Sequence, residues 1–402
     1  MGDNTHTEKA LGGFRVLDIS TVYAAPFGAS ILADFGADVI KVELPKVGDN
    51  LRRMGTFYQG TSLWWLADNR NKRAITLDLR KPKGKELFKR LVAVSDVVIE
   101  NFRPGTLEEW GLGYDDLKLV NPQIILARLT GFGQSGPYIE RPGFAPIAEA
   151  MGGLRQLVGE ADGAPLRPGP AFGDSLGGVM TALGILVSLL YREKTGKGQV
   201  IDTALYEAVT RFLEYTIPTY SLLGQVRGRM GNATPGTAPS NTYQSGDGKW
   251  VLLTAPNDRL FANLATAMGK PELATDPRFD INPHRTANVA TLDKIIGDWM
   301  KEHTQEEAIN TIRACDVPVT AIYDVADMFN DPHYQARETL VEIDDPTVGK
   351  VTLPGAFPRL SLTPGKVQRG GPKMGEHNQD IYCGLLGLSK DELAEMVAEG
   401  IV

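Results

Sequence analysis

A lone carboxylate among glycines stands at the head of the longest apolar run of this 402-residue chain: Gly173-Asp174-Ser175-Leu176-Gly177-Gly178 leads into Leu176–Tyr191. At a helix start, Asp174 or Ser175 can act as an N-cap that accepts a backbone N–H. The same geometry also allows chemistry, because the helix dipole and nearby N–H groups keep a carboxylate ionised. The glycines leave room for a ligand, and an accessible ionised carboxylate can be a nucleophile. A second constellation, Asn101-Phe102-Arg103-Pro104-Gly105, follows the apolar stretch DVVIE. Loops at the carboxyl ends of parallel strands bind ligands in open α/β sheets, although Asn, Pro and Gly also simply close turns. A third is the turn Ser20–Pro26 (STVYAAP), which lacks G-x-G-x-x-G. Its small residues before a helix could offer backbone N–H groups to an anion. Arg70, Lys72, Arg73 and Arg80 bracket one strand. They are a solvated face, or phosphate ligands if that strand ends beside the turn. The histidines His6, His284, His303, His333 and His377 show no metal-ligand spacing, and G-x-S-x-G is absent. His377, in Gly-Glu-His-Asn, is the one singled out.

The elements that must position these groups alternate. Phe14–Ile19, Asp38–Glu43, Arg73–Leu79, Asp96–Glu100 and Gln123–Thr130 read as strands. Pro26–Phe35, Pro82–Val94 and most of Thr106–Leu119 read as helices between them. Such alternation predicts an open parallel sheet with helices on both faces. The apolar run is followed by a Gly-rich basic turn, a strand near Val200 and a helix from Leu205. Gly224–Gly248, with six glycines and two prolines, reads as a linker. Beyond it come a strand at Trp250–Thr254, helices over 259–268, 287–303 and 305–315, and short strands within 341–362. The expected division is a large domain over 1–223, a linker and small domain over 224–330, and a segment over 331–402 that returns to the large domain.

Composition narrows the class. Net charge is −7 with pI ≈ 5.4, a poor match to nucleic acid or an anionic membrane. Cys315 and Cys383 are far apart, which argues against a disulfide scaffold or structural zinc and for a reducing cytoplasm. Met1–Gly13 has no apolar core of a signal peptide. The apolar run, at 16 residues, is expected to be buried rather than membrane-spanning.

Taken together, FRVLDIS, LADFGADVIKVELPKVGD, NRNKRAITLDLRKPKGKELF, SDVVIENFRPG, NPQIILARLTGFGQSGPY, FGDSLGG, TGKGQVID and GEHN resemble, in order, the class III CoA-transferase family, the carnitine and bile-acid CoA-transferase group. The resemblance implies a Rossmann-like α/β domain, a smaller α+β domain and an interlinked, ring-like dimer. It implies a coenzyme A thioester as substrate, with no covalently bound cofactor and no metal, and a homodimer or a heteromer with a related subunit. Asp174 falls on the family's nucleophilic aspartate. Tyr23 and Ala24 fall on the first CoA-binding turn, Leu77, Asp78, Leu79 and Arg80 on the adenosine and phosphate segment, and Asn101, Phe102 and Arg103 on another CoA-contacting loop; Phe144 is placed with them. The activity implied is CoA transfer from an acyl-CoA, such as succinyl-CoA, to a carboxylic acid.

The chain departs from the family pattern at three places. Glu109 replaces a frequent arginine, which shifts a phosphate contact to Arg103 or Arg141. Pro235–Ser240 replaces a tetraglycine lid with stiffer residues. Ala145 replaces an acidic residue, whose role would pass to Glu149. Two alternatives stay open. One is an acyl-CoA racemase, which needs an acid/base pair where this chain has Phe144-Ala145; the other is a non-catalytic CoA-binding subunit of a heteromer. For the acyl group, Trp64, Trp65, Tyr58 or Phe144 would shape an apolar pocket, and Arg52, Arg53 or Arg155 would hold a second carboxylate.

Overall fold

The computed structural model describes residues 9–402, so His6 and most of the polar leading segment lie outside the described residues. Six strands form one sheet, every pair parallel, in the spatial order Arg73–Thr76, Asp38–Glu43, Arg15–Asp18, Val97–Glu100, Ile125–Thr130, Val200–Ala204. Numbered along the chain this is 3-2-1-4-5-6, the doubly wound order. The order reverses between Arg15–Asp18 and Val97–Glu100, so the chain leaves these neighbours in opposite directions and opens a crevice beyond their carboxyl ends.

Strand residues alternate between two cores. Leu17, Ile40, Val98 and Leu126 face the helix Pro82–Ala93 through Leu87, Phe88 and Leu91. Val16, Val39, Val97, Ile99 and Ile125 face the helices Ala24–Asp34 and Phe172–Thr195. This two-sided burial explains why the strands read as continuous apolar runs. The expected helix over 106–119 is two short ones, Thr106–Glu109 and Tyr114–Val120, because Gly111 (φ +67°) turns the chain between them.

The long helix runs 24 residues, Phe172–Thr195, and ends at Gly196 with φ +70°. It is therefore longer than the 16-residue apolar run suggests, and by length and composition it could cross a membrane. Ile185 and Leu189 pack it into the sheet's core instead.

The chain divides into two units. One comprises the chain up to Leu154 with Pro168–Leu223 and His333–Val402; the other comprises Arg155–Arg167 and Gly224–Pro332. The second unit holds a three-stranded antiparallel sheet (Ser240–Gln244, Trp250–Thr254, Val319–Ala321). Helices Asp258–Ala267, Val289–Lys301 and Gln305–Arg313 cover a core that includes Phe261, Leu264, Ile296 and Ile312. Ser240–Gln244 lies inside the stretch read as linker; its pairing partner Trp250–Thr254, rather than its own composition, makes it a strand.

Candidate active site

The first strand ends at Asp18, and the turn Ser20–Tyr23 leads into the helix Ala24–Asp34. Each backbone N–H of Ser20, Thr21 and Val22 is already taken. Ser20 N donates to Asp18 Oδ1 at 3.1 Å, Thr21 N to Asn101 Oδ1 at 2.8 Å and Val22 N to Asp49 Oδ1 at 3.0 Å. The expectation that this turn offers these groups to an anion is thus corrected. The N–H groups of Ala24 and Ala25 remain, since a first helical turn has no internal acceptors for them.

Two of these acceptors, Asp18 and Asp49, are themselves fixed by buried cations. Lys72 Nζ donates to Asp18 Oδ2 at 2.8 Å and to Pro26 O at 2.7 Å. Lys41 Nζ lies 3.1 Å from Asp49 Oδ2 and donates to Ser20 O. All four side chains are essentially inaccessible. Burial pushes the Asp18 carboxyl up, but the Lys41 and Lys72 ammoniums outweigh it and hold Asp18 below the usual carboxylate range.

The helix Ala24–Asp34 crosses the helix Phe172–Thr195 at glycines. A Cβ on Gly178 would lie 2.5 Å from Ala24 O, and one on Gly28 would lie 2.6 Å from Gly178 O. This backbone-to-backbone approach brings the Tyr23–Ala24 turn to the start of the long helix. Tyr23 Oη lies 3.0 Å from Ser175 Oγ, and the Tyr23 ring packs on Trp64 with centroids 5.4 Å apart. Burial, then the Asp68 carboxylate and further the Asp174 carboxylate, push the Tyr23 hydroxyl up to about 12. Tyr23 is therefore a neutral hydrogen-bonding group beside Asp174.

Neither Asp174 nor Ser175 is the N-cap. The cap is Ala171, and Asp174 is the third helical residue. Ser175 Oγ bonds back to Ala171 O at 3.1 Å. Gly173 N donates to Glu149 Oε1 at 3.3 Å, with Glu149 fully buried. Glu149 does not line the cleft that holds Asp174, and one of its carboxylate oxygens is engaged at the helix start.

The crevice beyond the two central strands holds Tyr23, Ala24, Asn101, Phe102, Arg103, Phe144 and Asp174 in one cleft. Asn101 is spent as a clamp, accepting from Thr21 N and donating to Thr21 O, both at 2.8 Å. Glu100 Oε2 holds Phe102 N at 2.6 Å, and Arg128 holds Glu100 at 2.7 Å. Arg103 and Arg141 converge on the same cleft from two loops; Arg141 stacks on Tyr138 at 3.6 Å. A second cleft holds Leu77, Leu79, Arg80 and Trp110 and shares Thr21 and Phe102 with the first. The two clefts are neighbours along the carboxyl edge of the sheet.

Several expected roles change. Arg70 pairs with Asp34 at 2.6 Å, Arg73 with Asp38 at 2.6 Å and Arg80 with Asp78 at 2.8 Å, and Lys72 is buried. The basic set is neither a free solvated face nor a set of uncommitted phosphate ligands. Trp65 is buried with Arg52 over its ring at 3.7 Å and lines neither cleft, and Arg52 is bound to Glu43 at 2.6 Å rather than free to hold a second carboxylate. Tyr58 is exposed on a short hairpin, and Arg155 belongs to the second unit. His377 is structural: its Nδ1 accepts Ala74 N–H at 3.1 Å, while Asn378 accepts Thr76 N–H at 2.9 Å, closing the sheet's edge strand. Burial and the Arg369 guanidinium lower its pKa. Pro235–Ser240 is tied down within its own unit. Asn282 Nδ2 donates to Gly236 O at 2.9 Å and Arg285 Nε to Ala238 O at 2.8 Å. Asp49, the group that holds Val22, was missed by sequence reading; its position after Gly48 signalled only a turn. Among the described residues, no three His, Cys, Asp or Glu side chains are grouped to hold a metal ion.

Comparison with known proteins fits this geometry. The model of CoA-transferase family III matches residues 11–378. The chain is 46% identical over 395 residues to a succinyl-CoA–D-citramalate CoA-transferase of Chloroflexus aurantiacus, covering 98% of each chain. It is 44% identical over 404 residues to the succinyl-CoA–L-malate CoA-transferase beta subunit of the same organism, covering 100% of both. The crystal structure of a CaiB/BaiF family protein from Brucella suis superposes with a TM-score of 0.85 at 38% identity, over 94% of this chain and 100% of that one. A doubly wound sheet, a carboxylate at a helix start in the switch-point crevice and these likenesses agree: the chain belongs to CoA-transferase family III and is a CoA-transferase.

Proposed function

We propose that this enzyme moves CoA from succinyl-CoA to a small dicarboxylic acid of the malate or citramalate kind, with Asp174 as the covalent nucleophile. The observation that carries the reading is the position of Asp174: third residue of the long helix, in the cleft, and not its cap. The positive end of the helix favours its ionised form. The Asp174 carboxylate attacks the thioester carbonyl carbon; the C–S bond breaks, CoA thiolate leaves, and a mixed anhydride remains. The thiolate then attacks the Asp174 carbonyl, releasing succinate and forming an aspartyl-CoA thioester. The acceptor carboxylate repeats the two steps in reverse. One thioester replaces another, so no ATP is consumed. Each oxyanion needs donors, for which the Ala24 N–H group and the neutral Tyr23 hydroxyl are candidates in the cleft. Tyr23, Ala24, Asn101, Phe102, Arg103 and Phe144 would line the pantetheine and acyl end, and Leu77, Leu79 and Arg80 the adenosine end.

The acceptor class draws on the printed activities of the relatives and on two arginines, Arg103 and Arg141, in the cleft of Asp174. Among the described residues, no histidine, which α-carbon racemisation would use as a base, lines that cleft. The working unit is a dimer of this chain or a heteromer with a related one. Supporting this, Val179, Leu183, Val187 and Leu190 expose an apolar stripe along the long helix, 42–64% accessible, and one relative is a beta subunit. Incubation with succinyl-CoA followed by borohydride should reduce the aspartyl thioester to an alcohol on the peptide containing Asp174. An unmodified peptide, with near-normal turnover in Asp174→Asn, would sink the mechanism.

A further inference from the structure

Among the described residues with positive φ, Val22 is the only β-branched one, at φ +67°. A β-branched side chain in the left-handed region is strained, and such strain persists only where the surroundings over-determine it. Asp49 supplies that constraint. Val22 N lies 3.0 and 3.2 Å from its two carboxylate oxygens. Asp49 also accepts Leu51 N at 2.8 Å and lies 3.1 Å from Lys41 Nζ, and it is 3% exposed. Its own N–H is held by Glu43 Oε2 at 2.9 Å, so its position is set from the end of the neighbouring strand. The reversal at Val22 sends the chain into Tyr23 and the helix, and fixes where the Tyr23 hydroxyl and the Ala24 N–H stand relative to Asp174.

We infer that Asp49 is a positioning residue for the thioester: it holds Val22 in its strained conformation and thereby aims Tyr23 and Ala24 into the cleft. This rests on the CoA-transfer reading above and adds a residue to it. The hydrogen-bond acceptor, not the negative charge, carries the effect. An amide oxygen at position 49 would still accept Val22 N–H, and a glycine at position 22 would adopt φ near +67° without help.

The test compares wild type, Asp49→Asn, Asp49→Ala, Val22→Gly and the double variant Asp49→Ala/Val22→Gly. It reads KM for succinyl-CoA, kcat, CoA affinity by calorimetry and the melting temperature. Asp49→Ala is expected to raise KM and the CoA Kd about tenfold or more with a smaller change in kcat, while Asp49→Asn stays within about threefold of wild type. The double variant should recover the KM and Kd of Val22→Gly alone while its melting temperature stays low, because Lys41 has still lost the Asp49 carboxylate. A double variant that binds as weakly as Asp49→Ala, or an Asp49→Asn as impaired as Asp49→Ala, would overturn the inference and leave Asp49 a support of the fold. If Asp49→Ala does not fold, the double variant against Val22→Gly decides the question. A wild type that binds CoA but transfers nothing would refute the transfer reading, while the calorimetric series would still judge this one.

Discussion

Asp18 and Asp174 are two aspartates at the same crevice with opposite environments. Asp18 ends the central strand, is wholly inaccessible, and is bound by Lys72, Ser20 and the nearby Lys41. Asp174 sits in the first turn of a helix and faces a cleft. A buried carboxylate between two ammoniums is committed to holding backbone; a carboxylate in a cleft at a helix start is open to a ligand. Placement relative to the turn, rather than residue type, therefore separates scaffold from the proposed reacting group.

The largest effect expected from this contrast is at Asp174. Asp174→Asn should reduce transfer by about 10⁴-fold or more, while the fold and CoA affinity are largely kept, since the substitution is isosteric and keeps an acceptor oxygen. Asp18→Asn should do the reverse. It leaves Lys41 and Lys72 short of a buried partner, at a cost of about 3–5 kcal/mol, and CoA binding should fall only as the folded fraction falls. Denaturant melts and initial rates on both variants check the pair; an Asp18→Asn protein of unchanged stability would break the comparison.

The glycine crossing tests the scaffold without touching a charge. Gly178→Ala gains about 1 kcal/mol of helix propensity, but its Cβ would meet the Ala24 carbonyl at 2.5 Å. Backbone cannot give as a flexible side chain can. We expect a net loss of about 1–2 kcal/mol, with a rise in KM as the Tyr23–Ala24 turn is pushed from the long helix.

Much of this architecture is legible in the sequence because its signals are local. The strand Asp38–Glu43 and the helix starting at Pro82 fall where apolar runs and a proline at the first helical position put them. The glycines around Asp174 read as room for a ligand; the structure shows Gly178 also making room for the Ala24 carbonyl. Pairing among charges carries no such local signal. Arg80 next to Asp78 and Arg73 far from Asp38 look alike as cations in the sequence, yet both are paired in the fold. The capping role assigned to Asp174 or Ser175 failed for a related reason: the helix begins two residues earlier than Asp174, at Phe172. Ser240–Gln244 was unreadable because its partner strand makes it a strand.

The same lesson ranks two arginines. Arg103 is exposed in the first cleft, whereas Arg80 is forked onto Asp78 by two side-chain hydrogen bonds of 2.8 Å. Arg103→Ala should weaken CoA binding by about tenfold and reduce its salt dependence. Arg80→Ala should cost about threefold or less, because a phosphate must compete with Asp78 for the guanidinium. Equal losses by calorimetry would mean that Arg80 exchanges Asp78 for the ligand.

The finest distinction concerns Tyr23 and pH. Its hydroxyl is raised from 10.0 to about 12, by burial first and then by the carboxylates of Asp68 and Asp174. A group whose folded pKa exceeds its unfolded one contributes stability that is full below pH 10 and fades as pH rises toward 12. The folded enzyme should therefore show no Tyr23 ionisation in its rate profile between pH 8 and 10, because the hydroxyl stays neutral there and keeps its bond with Ser175. Tyr23→Phe removes that titration together with the hydrogen bond. Its stability should decline less than that of wild type between pH 10 and 12, while at pH 7 its transfer rate falls about tenfold if the hydroxyl supports the oxyanion. A variant with the wild-type alkaline slope would place the titration on another tyrosine. One with the wild-type rate would leave Tyr23 on the scaffold side, with Asp18.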